Sequence, residues 1–477
     1  MWNAILILLS GDDFANLAAD KDPDRRVQAI ESLRPPKDPV AVRALLPLLA
    51  DEHPKVRWRA LRALIEGGPA LVRDPLIKTG LRSSSPLLRQ GACEVLGELR
   101  DRDALPELVE RLHDPDPRVR GAATSALGLI GDPSSAPPLI AAFRMDHDWP
   151  LRAAAIESLA RLSPESLPEL LPEASTDSHY QVRLVAAELA PTAALAGDRD
   201  WRVRAAAVEG CLKTRDRDAV DLLVEQFGKE TGRLRWDCFR ALQDLTGKDL
   251  ALDAGHWRSW WQANRATFEV RPAGARGLPA IAGTQAAFFE IPILSNRMIF
   301  VLDLSGSMRE PSPKGGTKLD VAKTGMTATL RSLGTDVRFG ILGLGCDADG
   351  KFTKREEKTW QRRLALYPAS PPARADAERF VRGLEARGWT NLYDGLEAAM
   401  NDPDADTIFL YSDGGASKGT FVASGEILAQ LRRLNRFRKI VIHTVEVPGE
   451  KNPEDNRRLL EKIAASTKGT SRLASGK

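Results

Sequence analysis

Through the first half of the chain, apolar positions recur at helical spacing around a fixed arginine. The stretches "VRWRALRAL", "VRGAATSAL" and "LRAAAIESL" share the order Arg-x-x-small-x-x-small-Leu. The arginines of this pattern are Arg26, Arg57, Arg89, Arg120, Arg152, Arg183, Arg204 and Arg235, separated by 31, 32, 31, 32, 31, 21 and 31 residues. Each unit opens on an acidic, Pro-containing or polar turn such as Asp114-Pro115-Asp116-Pro117 or Asp146-His147-Asp148, runs through a first helix, turns at a site like Gly131-Asp132-Pro133, and predicts a second helix as in "SAPPLIAAF" (135–143). Acidic residues cap helix starts and proline is tolerated in the first turn. One such helix pair cannot bury its apolar face alone, so the units must stack. The recurring arginine then predicts a hydrogen-bonding ladder to the Asp turns rather than a binding site.

From residue 298 the pattern changes. Apolar runs at 298–302, 337–344, 407–411 and 440–447 alternate with amphipathic stretches at 317–333, 375–387, 393–400, 421–436 and 454–467. Runs buried on both faces and separated by helices predict a mostly parallel sheet in a doubly wound α/β domain. Between the two grammars, "GHWRSWWQANRATF" places Trp257, Trp260 and Trp261 on one helix face, which predicts a terminal cap on the array. A Pro/Gly/Ala-rich stretch at 270–284 reads as a linker, and "AAFFEIPIL" (286–294) as a strand leading into the next domain. The expected organisation is therefore an N-terminal segment (1–20), an all-α solenoid (21–268), a linker (269–294) and an α/β domain (295–477). The interval of 21 between Arg183 and Arg204 means that "LAPTAALAGDRDW" (189–201) has little room for a second helix and predicts a change of curvature there.

The first α/β run ends as "VLDLSGSM". A core strand gains nothing by ending in a carboxylate with two hydroxyls at alternate positions after it. In open α/β sheets ligands bind at the carboxyl ends of strands beside a switch in strand order. Asp303 sits at such an end, and Asp413 closes "TIFLYSDG". Ser305 and Ser307 present hydroxyls from the Asp303 loop, Gly306 permits its turn, and Thr390 in "GWTNLYDGL" offers a further oxygen from a loop between strand and helix. Oxygen donors of this kind suit a hard cation, Mg²⁺ first and Mn²⁺ or Ca²⁺ as alternatives. The insertion "REPSPKGGTK" (309–318) falls beside this loop and can shape access to it.

The five positions match the metal-ion-dependent adhesion site of von Willebrand factor A domains, D-x-S-x-S followed by a distant Thr and a distant Asp. The likeness extends over 295–477 through "FVLDLSGSM", "NLYDGLEAAM" and "LYSDGG". It implies that Asp303, Ser305, Ser307, Thr390 and Asp413 hold a cation that accepts a carboxylate from a partner protein. The N-terminal pattern, over roughly 21–245, resembles HEAT-like repeats of the kind also found in phycobilin lyases, and the order of the two modules resembles that of bacterial proteins. What these likenesses imply is a non-enzymatic interaction protein, with an acidic side chain of one partner at the metal site and a further protein on the concave face of the solenoid. Two rivals stand beside it: an accessory subunit of an AAA+ or chelatase-type ATPase, and a bilin-lyase-like enzyme.

Composition narrows this further. The 477 residues are 43% hydrophobic and 28% charged with a net charge of +3, ordinary for globular protein and without the dense basic stripe that nucleic acid demands. No stretch approaches the ~20 apolar residues of a membrane span. The N-terminal run "MWNAILILLS" has no Lys or Arg before its short apolar core; it reads as a first helix, with the remnant of a longer leader as the other reading, so the compartment stays open between cytoplasm and export. Cys93, Cys211, Cys238 and Cys346 show no metal or disulfide spacing and read as buried small residues. No phosphate-loop motif and no nucleophile motif is present, and His443, inside a predicted strand, reads as a core histidine. Asp402, Asp404 and Asp406 lack the glycine and distal glutamate of a Ca²⁺ loop and read as a turn.

Overall fold

A computed structural model of the chain describes residues 11–274, 286–313, 315–345, 364–447 and 453–474. The expected helix at the very N-terminus, residues 275–285 of the linker and Cys346 lie outside them. The chain divides into two compact units, Met1–Ala190 and Pro191–Lys477. Among the described residues no helix is long and apolar enough to cross a membrane.

In the first unit the leading helices of successive repeats are Pro23–Ser32, Pro54–Gly67, Pro86–Glu98, Pro117–Ile130, Trp149–Leu162 and Tyr180–Leu189. Small residues let them approach closely: a Cβ on Gly97 would lie 2.7 Å from Ala126 Cα. The arginine ladder is built with one repeated geometry. In seven of the eight units Nη1 donates to the backbone oxygen six residues earlier, as Arg57 does to Asp51 at 2.7 Å, Arg89 to Ser83 at 2.8 Å and Arg204 to Asp198 at 2.8 Å. In five of these, Arg26, Arg89, Arg120, Arg152 and Arg204, the guanidinium then reaches forward to a carboxylate 25 or 26 residues on. Arg89 takes Asp114 through both nitrogens at 2.8 and 2.7 Å, and Arg152 takes Asp177 at 2.7 and 2.9 Å. The same aspartates accept from the backbone N–H two residues on, Asp116 N to Asp114 and His179 N to Asp177. One aspartate thereby turns its own chain and receives its neighbour. Burial alone would raise the Asp114 carboxyl, yet the Arg89 guanidinium and the Asp116 N–H hold it below its ordinary value. Arg235 departs from the pattern: it lies over the Phe227 ring and donates to Leu252 O.

The second unit begins midway through the shortened repeat. Its second helix is reduced to the single turn Ala193–Ala196, capped by Thr192, as the interval of 21 requires. Helices Trp201–Thr214, Arg217–Lys229 and Gly232–Thr246 follow, and Ala254–Asn264 closes the array. On that last helix Trp257 is fully buried, edge-on to Phe239, while Trp261 donates its Nε1–H to Asp221 at 2.5 Å. The tryptophan face is thus covered by the last repeat.

The α/β part contains strands β1 (Ala287–Phe288), β2 (Ile291–Pro292), β3 (Arg297–Asp303), β4 (Arg338–Leu344), β5 (Tyr367–Pro368), β6 (Thr407–Ser412), β7 (Val441–Glu446) and β8 (Ser471–Leu473). Six form one sheet in the order β5-β4-β3-β6-β7-β8, parallel except for the edge strand β5. Alternate residues of β3 point to opposite faces: Met298, Phe300 and Leu302 join Leu319, Met326 and Leu330 of helix Lys318–Ser332 in one core. Residues 286–294 depart from expectation. They form not one strand but a tight antiparallel hairpin, β1 against β2, because Phe289 and Glu290 both take positive φ (47° and 65°) at its turn. Phe288 from this hairpin packs on Phe300, Phe409 and Tyr411. Cys93, Cys211 and Cys238 are buried. Asp402 closes an Asx turn by accepting from Asp404 N and Ala405 N.

Candidate metal centre

Strand order decides where the acidic residues meet. The chain leaves β3 for β4 on one side and returns through β6 on the other, so β3 and β6 flank the point at which the winding reverses. They pair in parallel with Leu302 beside Tyr411, which brings Asp303 next to Ser412 and the Asp413 loop next to the Asp303 loop. Ser412 Oγ donates to Asp303 Oδ2 at 2.6 Å, and Ser305 N donates to Asp303 Oδ1 at 2.8 Å. Ser305 Oγ and Ser307 Oγ lie 3.0 Å apart on the turn that follows.

Thr390 arrives by a different route from the one expected. Its loop joins helix Pro371–Arg382 to helix Leu392–Met400, not a strand to a helix, and it crosses the carboxyl end of the sheet. Arg387 N donates to Leu304 O at 2.6 Å, Gly306 N to Gly388 O at 2.9 Å, and Arg309 Nε to Ala386 O at 2.7 Å, so this loop is tied to the Asp303 loop. Gly388 adopts φ +81°, a conformation that side chains disfavour. On its other flank Thr390 O accepts from Ser417 N at 3.0 Å and Lys418 N at 3.1 Å, and Thr390 N donates to Ser417 Oγ at 3.0 Å. All five positions therefore stand on three adjoining loops. Asp303 is fully buried, Ser305, Thr390 and Asp413 nearly so, and Ser307 partly.

Burial, with Asp413 as a second like charge, pushes the Asp303 carboxyl up to about 6. The hydrogen bonds from Ser412 and Ser305 pull the other way without overcoming it. Asp413 has a partner that sequence reasoning missed: Lys318 Nζ, almost wholly buried, lies 3.4 Å from Asp413 Oδ2 and pairs closely with Glu310. One signal was available. Lys318 is the first residue of its helix, where the helix dipole disfavours a cation and only a local carboxylate offsets it. The insertion carrying it is folded back on itself, with Pro311 bridged to Thr317 and Ser312 N donating to Gly316 O at 2.9 Å. Asn456, also unforeseen, fixes the Asp413 backbone by donating to its carbonyl at 2.9 Å.

Among the described residues there is no cluster of three or more His, Cys, Asp or Glu side chains able to hold a metal. The arrangement is instead two carboxylates with neighbouring hydroxyls. Such an all-oxygen set suits a hard cation and is a poor match for zinc or copper.

Comparison with known proteins matches both halves. Residues 73–160 match the family model of HEAT repeats, and residues 296–473 that of the von Willebrand factor type A domain. Among curated relatives, deoxyhypusine hydroxylase of Gallus gallus is 45% identical over 80 residues, 16% of this chain and 26% of that protein. Inter-alpha-trypsin inhibitor heavy chain H3 of Bos taurus is 24% identical over 168 residues, 32% of this chain and 17% of that protein. The chain thus spans about a quarter or less of the length of these relatives. Among solved structures, a von Willebrand factor type A protein from Catenulispora acidiphila aligns over 38% of this chain and 39% of its own at 20% identity, with a TM-score of 0.29.

Proposed function

We propose that this protein, a HEAT-repeat array carrying a von Willebrand factor type A domain, is an interaction scaffold whose α/β domain binds a partner through a divalent cation. Asp303, Ser305, Ser307, Thr390 and Asp413 would hold that cation, Mg²⁺ or Mn²⁺ by donor chemistry. When bound, it supplies a Lewis-acidic position for a carboxylate oxygen of the partner. The observation that carries the reading is the state of Asp303: a fully buried carboxylate at a strand end, raised by burial and by the like charge of Asp413. Buried charges persist where something compensates them. Lys318 faces Asp413 and Glu310, and no ion pair to Asp303 is found among the described residues. A doubly charged ion held by this oxygen set would resolve that imbalance.

The protein's own part is to hold the oxygens in place beforehand. Ser412 and Ser305 N fix both oxygens of Asp303, and the backbone bonds of Gly306, Arg387 and Ser417 lock the three loops together. Calorimetric titration of the purified chain with MgCl₂ and with MnCl₂ tests this. One site is expected, absent in Asp303→Ala and in Asp413→Ala. Capture of partners from a host lysate should then depend on Mg²⁺ and vanish with EDTA or with Asp303→Ala. Equal uptake of cation by the parent and both variants would remove the basis of the proposal.

A further inference from the structure

The opposite end of the same sheet holds a second feature. A cavity of about 670 Å³ lies between helices Trp201–Thr214 and Gly232–Thr246 and the amino-terminal ends of the strands, where Ser295, Thr407, Val441 and Thr470 reach its wall. Its size falls within the range of small-molecule sites, ~300–1,000 Å³. Its wall carries six basic side chains and three acidic ones. The acids are largely engaged. Glu209 receives Lys439 Nζ at 2.7 Å and Lys468 Nζ at 2.6 Å, which hold its carboxyl down near 2 against burial. Asp244 takes Arg215 at 2.7 Å.

Arg233 is less completely matched. It is 7% exposed, lies against the Trp201 ring and donates from Nη1 to Lys439 O at 2.9 Å. Its Nη2 is buried without a hydrogen-bond partner among the described residues, and its nearest carboxylate, Asp237, stands 3.6 Å from Nε. A buried guanidinium N–H left unmatched is costly, and the side chain that carries it is part of the cavity wall. Arg240, two turns on, shares the wall; its Nη1 donates to Gln243 Oε1 at 3.3 Å, and burial disfavours its charge with Asp249 only partly offsetting that. His443 adds a neutral donor: its Nδ1 accepts from Thr470 N at 3.0 Å, and burial, with Arg233 nearby, pulls the ring down to about 4. Leu212, Trp236 and Ile440 contribute apolar wall.

We infer that this cavity binds a small organic anion, an oxyanion head on an apolar body, with Arg233 and Arg240 receiving the head. The head is a carboxylate or a phosphate, both of which present acceptors to a guanidinium fork. The site is separate from the Asp303 loops and does not depend on a cation there.

Titration of the full chain with naphthoate, naphthyl phosphate and the uncharged naphthalenemethanol separates these terms. At least one anion should bind one to one, about tenfold or more tightly than the alcohol, the scale of one charge-assisted hydrogen bond. Whichever anion binds more tightly identifies the head. Arg240→Gln, at a partly exposed position, should reduce that preference by a similar factor, as should Arg233→Gln, while Asp303→Ala should leave it intact. The inference is overturned if the alcohol binds as well as both anions, if neither anion binds at millimolar concentration, or if both arginine variants keep the parent's affinity.

Discussion

Replacing Asp303 by Asn should stabilise the protein when no divalent cation is present, the reverse of what loss of a buried hydrogen-bonded residue usually does. The carboxyl stands at about 6 in the folded chain against an ordinary 3.8. At 1.36 kcal/mol per unit, ionised Asp303 costs the folded state about 3 kcal/mol at pH 7. The native state keeps a proton between those two values that the unfolded chain has released. Stability from this group therefore falls as pH rises from about 4 to about 6 and is level above. Asparagine removes the charge but must place its amide N–H₂ against one of the two donors that Asp303 accepts, Ser412 Oγ or Ser305 N. The hydroxyl can turn to accept instead, at about 1 kcal/mol for the bond it gives up. The net gain is about 2 kcal/mol.

Urea denaturation in EDTA reads this directly. At pH 7 the variant's midpoint should lie above the parent's, and near pH 4 the advantage should disappear, since folded Asp303 is then protonated and the unfolded group only about half ionised, which leaves a charge penalty no larger than the hydrogen bond asparagine gives up. Adding MgCl₂ at a hundredfold excess over the dissociation constant should stabilise the parent by about 2.7 kcal/mol and the variant not at all, reversing their order. A variant less stable than the parent in EDTA would refute the electrostatic reasoning. Equal gains from MgCl₂ would refute the metal assignment while leaving that reasoning intact.

Three further outcomes follow from named contacts. Lys318→Met removes the ammonium 3.4 Å from Asp413; calorimetry should show tighter Mg²⁺ binding by about tenfold, and chemical denaturation in EDTA a less stable protein. Arg89→Ala breaks a pair that is almost wholly buried on both sides and should lower stability by about 3–5 kcal/mol in urea unfolding at pH 7. Because the Asp114 carboxyl is held below its ordinary value, that pair's contribution should persist above pH 4 and fade as pH drops through its folded value. Gly97→Ala drives a Cβ to 2.7 Å from the Ala126 backbone, and thermal unfolding should report a loss of about 1–3 kcal/mol.

What could be read in advance follows from where each interaction is made. The repeats were legible because one arginine, bonded each time to the turn six residues before it, recurs at a near-constant separation. Strands β3, β4, β6 and β7 were legible because burial on both faces writes a continuous apolar run. The edge strands β5 and β8, of two and three residues, write no such run and went unseen. Nor did anything announce the hairpin at 286–294, whose positive-φ turn uses Phe and Glu instead of the usual Gly or Asn. Lys318, Asn456 and the basic cavity share a further difficulty. Each owes its place to segments brought together only by the finished fold, and a lysine that will be buried looks in sequence like any other.

The two ends of the sheet nevertheless obey one rule. Parallel strands in register place all their carboxyl ends together and all their amino ends together, so the register that sets Asp303 beside the Asp413 loop also sets Ser295, Thr407 and Val441 on the opposite wall. Seven residues of β3 separate those ends, roughly 20 Å at strand rise. At that distance, with an effective dielectric of ~20, direct charge coupling between an aspartate and Arg233 is under about 1 kcal/mol, since salt screens buried charges little but separation still weakens them. If occupation of one end alters affinity at the other by more than that, the link runs through the strands themselves or through the loops that leave them. Comparing Mg²⁺ affinity with and without a saturating anion then separates independent sites, whose affinities stay unchanged, from a sheet that transmits strain, where each ligand shifts the other by the same factor.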